Sequence, residues 1–188
     1  MRRVEAVKGP ISYADLQRMP DDGNRYELYD GDLCVVPAPL LIHQIVAGRL
    51  NECLRNFVQA HGGAVFFAPL DIVFSDYNVV QPDVIYFSPD AVRRLDPYEV
   101  VRFPPDVAFE VLSPSTARND RGRKRMLMAR YRVPEYWVID PRAHVIEVST
   151  LAEEGYGEPS RISEGRCAST VIQGFEVDLV ELFGPGVV

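Results

Sequence analysis

PPDVAFEVLSPSTARNDRGRKRMLMARYRVPEYWVID, residues 104–140, reads as strand, helix, strand. In a strand, successive side chains point to opposite faces. Over residues 106–112, Val107, Phe109 and Val111 therefore face one way, and Asp106, Ala108, Glu110 and Leu112 the other. Residues 119–131 carry Lys124, Leu127, Met128 and Tyr131 at i, i+3, i+4 and i+7, the spacing of a core-facing helical stripe. Residues 135–139, EYWVI, form the second strand, with Tyr136 and Trp137 as core residues. This reading sets a carboxylate in the middle of a central strand and a lysine on the apolar side of the next helix. Buried charge is costly unless it is paired or bound to a cation, and Glu110 lies one short loop upstream of Lys124.

Working outward, VVQPDVIYF at residues 79–87 reads as another strand, with Asp83 on the face of Gln81, Ile85 and Phe87. Residues 64–74 are rich in aromatic and β-branched residues and read as a strand. Residues 41–61 repeat apolar positions at helical period through Ile42, Ile45, Val46, Leu50, Cys53, Leu54 and Phe57. Asp30-Gly31 marks a two-residue turn closing a hairpin over residues 25–36. Ser12 caps a short helix over residues 12–19, with Asp15 at its third position. Residues 88–104 form a loop with a short helix at 89–95, residues 145–150 a further strand, and residues 177–183 a short apolar segment. The order predicts an α+β fold, a mixed sheet flanked by helices, as one domain over residues 1–188.

Composition sets bounds on what such a domain does. Apolar residues make up 47% and charged residues 25%, which is ordinary for a globular chain. Cys34, Cys53 and Cys167 are scattered, so neither a disulfide framework nor a zinc site is expected. No apolar run is long enough to span a membrane. The opening MRRVEAVKGP lacks the apolar stretch of a secretory signal, which makes the cytoplasm the default location. The net charge of -7 disfavours indiscriminate binding to nucleic acid. Charge is unevenly spread, however: residues 118–132 hold six arginines and Lys124 against Asp120 alone. Arg121, Arg123 and Arg125 on the flanks of that helix are therefore candidate phosphate contacts.

Asp83, Glu110 and Lys124 together suit metal-assisted phosphodiester hydrolysis. Two carboxylates offer hard oxygen ligands to Mg²⁺ or Mn²⁺, and a lysine can orient water or offset charge developing on the phosphate. From the residues alone a second reading stays open, a buried Glu110–Lys124 ion pair with Asp83 capping a turn. Asp106 lies four residues from Glu110, about 13 Å along a strand, too far to share one metal, and is given to the start of the strand. Asp120, one helical turn before Lys124, is expected to pair with it. His61 and His144 read as loop residues, and Ser113, Ser115 and Thr116 as turn and cap residues with no histidine to activate them.

The run PDVAFEVLSPSTARNDRGRKRMLMARYRVPEYWVIDP, with RYELYDGDL at residues 25–33, HQIVAGRL from His43 and QPDVIYF, resembles the Uma-two-type family of bacterial restriction endonucleases. That family was once catalogued as a domain of unknown function and belongs to the PD-(D/E)XK nuclease superfamily. The resemblance spans nearly the whole chain, its motifs falling in the family's order. It implies a restriction-endonuclease-like fold and Mg²⁺- or Mn²⁺-dependent cleavage of DNA to 5′-phosphate and 3′-hydroxyl ends. It also implies a homodimer, for which residues 177–188 are a candidate interface. Carried over, the family's metal-binding acids fall on Asp83 and Glu110 and its lysine on Lys124. Glu27 matches a recurrent acidic position, and His43, Gln81 and Asp120 are possible accessory residues. One departure stands out: the superfamily lysine usually follows the second acid by two residues, where this chain has Leu112, so its role would pass to Lys124 on the helix. The rival readings are a noncatalytic nuclease-fold module for DNA binding or assembly, and a nuclease acting on RNA.

Overall fold

The computed structural model describes residues 9–184. The chain begins α1 (Tyr13–Leu16), β1 (Arg25–Tyr29), β2 (Asp32–Val36), α2 (Leu41–His61), β3 (Ala64–Phe67), β4 (Ile72–Ser75), β5 (Asn78–Val80) and β6 (Val84–Phe87). It continues α3 (Pro89–Val92), β7 (Val107–Val111), α4 (Ala117–Asn119), a π turn (Asp120–Lys124) and α5 (Arg125–Arg130). It ends β8 (Glu135–Asp140), β9 (Val145–Ala152), β10 (Gly155–Tyr156), β11 (Ser160–Ile162), β12 (Arg166–Ala168), β13 (Glu176–Asp178) and α6 (Leu179–Phe183).

β7 and β8 pair in parallel, Val107 opposite Glu135 and Val111 opposite Ile139. Parallel neighbours cannot be joined by a tight turn, so the chain crosses between them through α4, the π turn and α5. The other pairings in this sheet are antiparallel, in the order β10-β9-β8-β7-β6-β3 with β11 also on β9. β7 is buried throughout, and its alternation divides the core. Val107, Phe109 and Val111 pack with Val46, Leu50 and Leu54 of α2. Ala108 and Leu112 pack with Leu127 and Met128 of α5. Each large side chain removed from water this way contributes about 1.5–3 kcal/mol.

A second sheet, β2-β1-β5-β4, covers the α5 side. Its Tyr29, Ile72 and Val80 join that core, while Leu28, Val73 and Val79 pack under Tyr13 of α1. The β1–β2 hairpin turns on Asp30 and Gly31, both at positive φ (50° and 84°), as a two-residue turn of this hand requires. α1 starts with the expected reciprocal cap between Ser12 and Asp15.

Several expectations are corrected. The strand over residues 64–74 is two strands, β3 and β4, in different sheets. The strand over 79–87 is also two, β5 and β6, broken at Gln81-Pro82-Asp83. Pro82 has no N–H for a ladder, and the chain passes there from the small sheet to the large one. Asp83 thus immediately precedes its strand, and the register that sets Ile85 opposite Ala108 keeps it on the side of Ile85. One expected sheet is three, of four, seven and two strands. The expected helix over 119–131 starts at Ala117 and contains a π turn, and the helix over 89–95 ends at Val92. Of the C-terminal interface candidate, Val177, Leu179 and Leu182 are buried in the chain's own core, and residues 185–188 lie outside the described residues, as does most of MRRVEAVKGP. No helix among the described residues is long and apolar enough to cross a membrane.

Candidate functional site

β6 runs antiparallel to β7 with Val84 opposite Phe109. Asp83, one residue before Val84, therefore comes to lie across from Glu110. The Val111 N–H donates to Asp83 Oδ2 at 2.8 Å, and His43 Nε2, in the first turn of α2, meets the same oxygen at 2.9 Å. Lys124 reaches in from the end of the π turn. Its Nζ lies 2.6 Å from Glu110 Oε1 and 2.8 Å from Glu27 Oε1. The π turn buries both its ends, Asp120 and Lys124. Such insertions into helices occur frequently at functional sites.

Glu27 is held on three sides. Its Oε1 also accepts from the Gln81 N–H at 2.8 Å, its Oε2 from the Tyr29 hydroxyl at 2.7 Å, and that hydroxyl in turn accepts from Asn119 Nδ2 at 2.8 Å. With both oxygens taken, Glu27 anchors the Lys124 ammonium. Gln81 extends its side chain away, its Nε2 donating to Asp71 at 2.7 Å. Asp120 lines the same cavity, but the ammonium contacts Glu27 and Glu110, which corrects the expected Asp120–Lys124 pair. Leu112, at the usual lysine position, is buried in the α5-side core.

These groups wall a cavity of about 200 Å³. Glu27, Asp83, Glu110 and Asp120 converge on one ammonium. Burial pushes the Glu110 carboxyl well above its usual range; Lys124 pulls it back, and Asp83, Asp120 and Glu27 push it further up. Burial raises Asp120 to about 6. Burial alone would depress Lys124, but Glu110 and Glu27 hold it well above the usual lysine range. Burial works against the Asp83 carboxylate too, yet the His43 hydrogen bond and charge, Lys124 and the Val111 N–H bring it below its usual range.

The residues fit a divalent cation in a specific way. Glu110 Oε1 is buried, and its neighbour is the Lys124 ammonium; Glu110 accepts no hydrogen bond among the described residues. Asp83 Oδ1 accepts no hydrogen bond among the described residues. Among the described residues no three acidic, histidine or cysteine side chains are grouped to hold a metal by themselves. The donor set is therefore two carboxylates, Asp83 and Glu110. That suits Mg²⁺, which keeps several waters and takes one or two carboxylates together with substrate phosphate.

The arginines of the helix do not line this cavity. Arg121 is paired with Asp140 and Glu147, Arg123 with Asp32, and Arg125 with Ser149 and the Gly157 carbonyl. The Arg25 side chain makes no hydrogen bond or ion pair among the described residues, and Arg25 does line the cavity. Reading the sequence for site residues missed Arg25 and Tyr29, although RYELY carried the signal: Arg25, Glu27 and Tyr29 alternate onto one face of a strand. Ser113 and Thr116 form the expected turn, joined by hydrogen bonds between their hydroxyls, and Asp106 accepts from the Ser88 N–H. His61 bonds the Phe57 carbonyl and His144 stacks on Phe183, both away from the site.

A mixed sheet flanked by helices, with one acid on a central strand, a second at the entry to the neighbouring strand and a lysine from the crossover, is a restriction-endonuclease-like fold. Residues 13–180 match the model of the Uma2 family, described as "Putative restriction endonuclease", and the chain belongs to that family. Among solved structures it is similar to a "putative nuclease belonging to DUF820" from Anabaena variabilis. That similarity has a TM-score of 0.78 at 18% identity and covers 93% of this chain and 98% of the other. No curated protein matches the chain.

Proposed function

We propose that the chain hydrolyses phosphodiester bonds in DNA, using Mg²⁺ or Mn²⁺ held by Asp83 and Glu110. The observation that carries this is a surplus of acid: Glu27, Asp83, Glu110 and Asp120 line one cavity with a single ammonium, and Glu110 accepts no hydrogen bond among the described residues besides its ion pair. When bound, a divalent cation supplies charge neutralisation on the attacked phosphate and acidifies water. Water attacks phosphorus and the bond to the 3′ oxygen breaks, which leaves a 5′-phosphate and, once the departing oxygen takes a proton, a 3′-hydroxyl. Lys124, fixed by Glu27, directs its ammonium to the water and to the phosphoryl oxygens as charge develops. His43 occupies Asp83 Oδ2 and so leaves Oδ1 to face the cavity. Arg25 is the positive group placed to meet the incoming phosphate. A second copy would bring the same site to the other strand of a duplex.

The contact between Lys124 and Glu110 favours a second reading, a noncatalytic module in which the ammonium closes the site. Calorimetry with Mn²⁺ separates the two. Binding by the wild type that is lost in both Asp83→Ala and Glu110→Ala supports the cation site, and oligonucleotide cleavage lost in Lys124→Ala supports catalysis. No Mn²⁺ binding, or binding untouched by both changes, would leave only the module. Parallel DNA and RNA oligonucleotides test the substrate.

A further inference from the structure

Beside the carboxylate cavity lies a second one of about 220 Å³, and the two share Arg25, His43 and Asp83 as walls. α2 supplies one side of the second cavity through Gln44, Ala47, Gly48 and Asn51, and Phe67 of β3 stands at the other. Three observations mark it as a binding site. Buried side-chain atoms without a hydrogen-bond partner, among the described residues, include His43 Nδ1 and Asn51 Oδ1. Both belong to residues that line this second cavity. Native proteins satisfy nearly all buried polar atoms, so such a concentration calls for an absent partner.

Phe67 is 58% exposed, a large aromatic surface left in water at the cavity edge. Gly48 sits inside a 21-residue helix, where glycine is less stable than alanine. A Cβ there would meet nothing within 4 Å, so glycine is not demanded by a close neighbour, and its lack of a side chain enlarges the cavity. An exposed aromatic ring, amide groups on the facing helix and an unpaired arginine at the wall shared with the acids suit a planar, hydrogen-bonding ring attached to a phosphate.

Resting on the nuclease reading above, we propose that this second cavity is a base subsite. It takes one nucleobase, turned out of its stack, from the nucleotide flanking the phosphate that meets Arg25, Asp83 and Glu110. Phe67 stacks on the base, a contact that tolerates any sequence because every base has a π face. The Gln44 and Asn51 amides meet its polar edge. Single-stranded DNA offers such a base without the cost of unpairing, so single strands or unpaired segments are the preferred substrate of this site.

The test compares three ligands of about ten nucleotides, within the span single-strand sites cover: labelled oligothymidylate, an abasic phosphodiester chain of equal length, and a fully paired duplex. Binding to the full chain is followed by fluorescence anisotropy with Ca²⁺ as the divalent ion. Oligothymidylate is expected to bind about tenfold more tightly than the abasic chain, and more tightly than the duplex. Phe67→Ala and Gly48→Phe should each erase the preference for thymidylate over the abasic chain, with melting temperature measured to show that both variants fold. Equal binding of oligothymidylate and the abasic chain by the wild type overturns the subsite, as does a preference that survives both variants, or duplex bound more tightly than single strand. Cleavage of oligonucleotides with Mn²⁺ is scored separately. A chain that cuts but shows no base preference loses only the subsite, and one that neither binds nor cuts loses the nuclease reading with it.

Discussion

Two glutamates are buried on neighbouring strands of the same sheet, facing opposite sides, and they are treated in opposite ways. Glu135, at the start of β8, is fully buried and accepts four hydrogen bonds. They come from Trp137 Nε1 at 2.7 Å, Ser169 Oγ at 2.6 Å, the Thr170 N–H at 2.9 Å and Thr170 Oγ1 at 2.7 Å. No cation takes part. Glu110, on β7, meets a single ammonium at one oxygen, accepts no hydrogen bond among the described residues and shares its surroundings with three more carboxylates. The first arrangement satisfies a carboxylate so fully that it becomes a latch, fastening residues 169–170 to the sheet. The second leaves an excess of negative charge that protein groups do not neutralise. In one sheet, saturation marks structure, and deficit is what the proposed cation site rests on.

The comparison can be broken most directly by activity. Glu110→Gln is expected to lower single-turnover cleavage by about 100- to 1,000-fold, while Glu135→Gln stays within about threefold per folded molecule. Equal losses in the two would end the distinction.

Stability should respond in the reverse sense. Glu135→Ala leaves four donors without their acceptor and is expected to cost about 3–5 kcal/mol in denaturant unfolding. Glu110→Gln in the presence of EDTA should change stability by less than about 1 kcal/mol, or increase it, because the buried charge it removes was poorly compensated.

Mn²⁺ at about a hundred times its dissociation constant should then stabilise the wild type by about 2.7 kcal/mol. Glu135→Gln should keep that increment and Glu110→Gln should lose it, as thermal melts would report.

The smallest effect concerns pH. A carboxyl whose folded pKa is raised binds protons more strongly when folded, so its contribution is fully present below the unfolded value and is lost as pH rises through the folded one. With Asp120 moved from 3.8 to about 6, its own contribution to the metal-free protein should fall by on the order of 2 kcal/mol between those limits. Subtracting the Asp120→Asn profile from that of the wild type in urea titrations should show this fall. Parallel profiles across the window would contradict the burial of Asp120.

The path from sequence to site was uneven for identifiable reasons. Lys124 was legible because helical periodicity put it on the stripe of Leu127 and Met128, and Glu110 because strand alternation put it beside Ala108. Both arguments need only local geometry. Asp83 was legible as a residue, but the break at Pro82, where the chain changes sheets, was not, so it was read inside a strand that it in fact precedes. The role of Glu27 was not legible: its ties to Lys124 and Gln81 join residues 97 and 54 positions apart. The arginines of residues 118–132 are a separate case. Their density suggested a phosphate-binding face, but acceptors from β2, β8, β9 and the strand connections, which no local pattern predicts, engage Arg121, Arg123 and Arg125.

The sequence by itself determined the elements and their faces, because hydrophobic period, capping and turn residues act over a few positions. It placed α2 at residues 41–61, the β1–β2 turn at Asp30-Gly31, the buried β7 and the inward lysine. Only the tertiary structure decided which charges meet. The antiparallel register of β6 and β7 sets Asp83 across from Glu110, and the crossover to a parallel β8 swings Lys124 over them. The closing of the small sheet brings Glu27 and Arg25 to the same cavity. Electrostatic pairing depends on distances of a few ångströms between distant parts of the chain, and those distances exist only once the layers have packed.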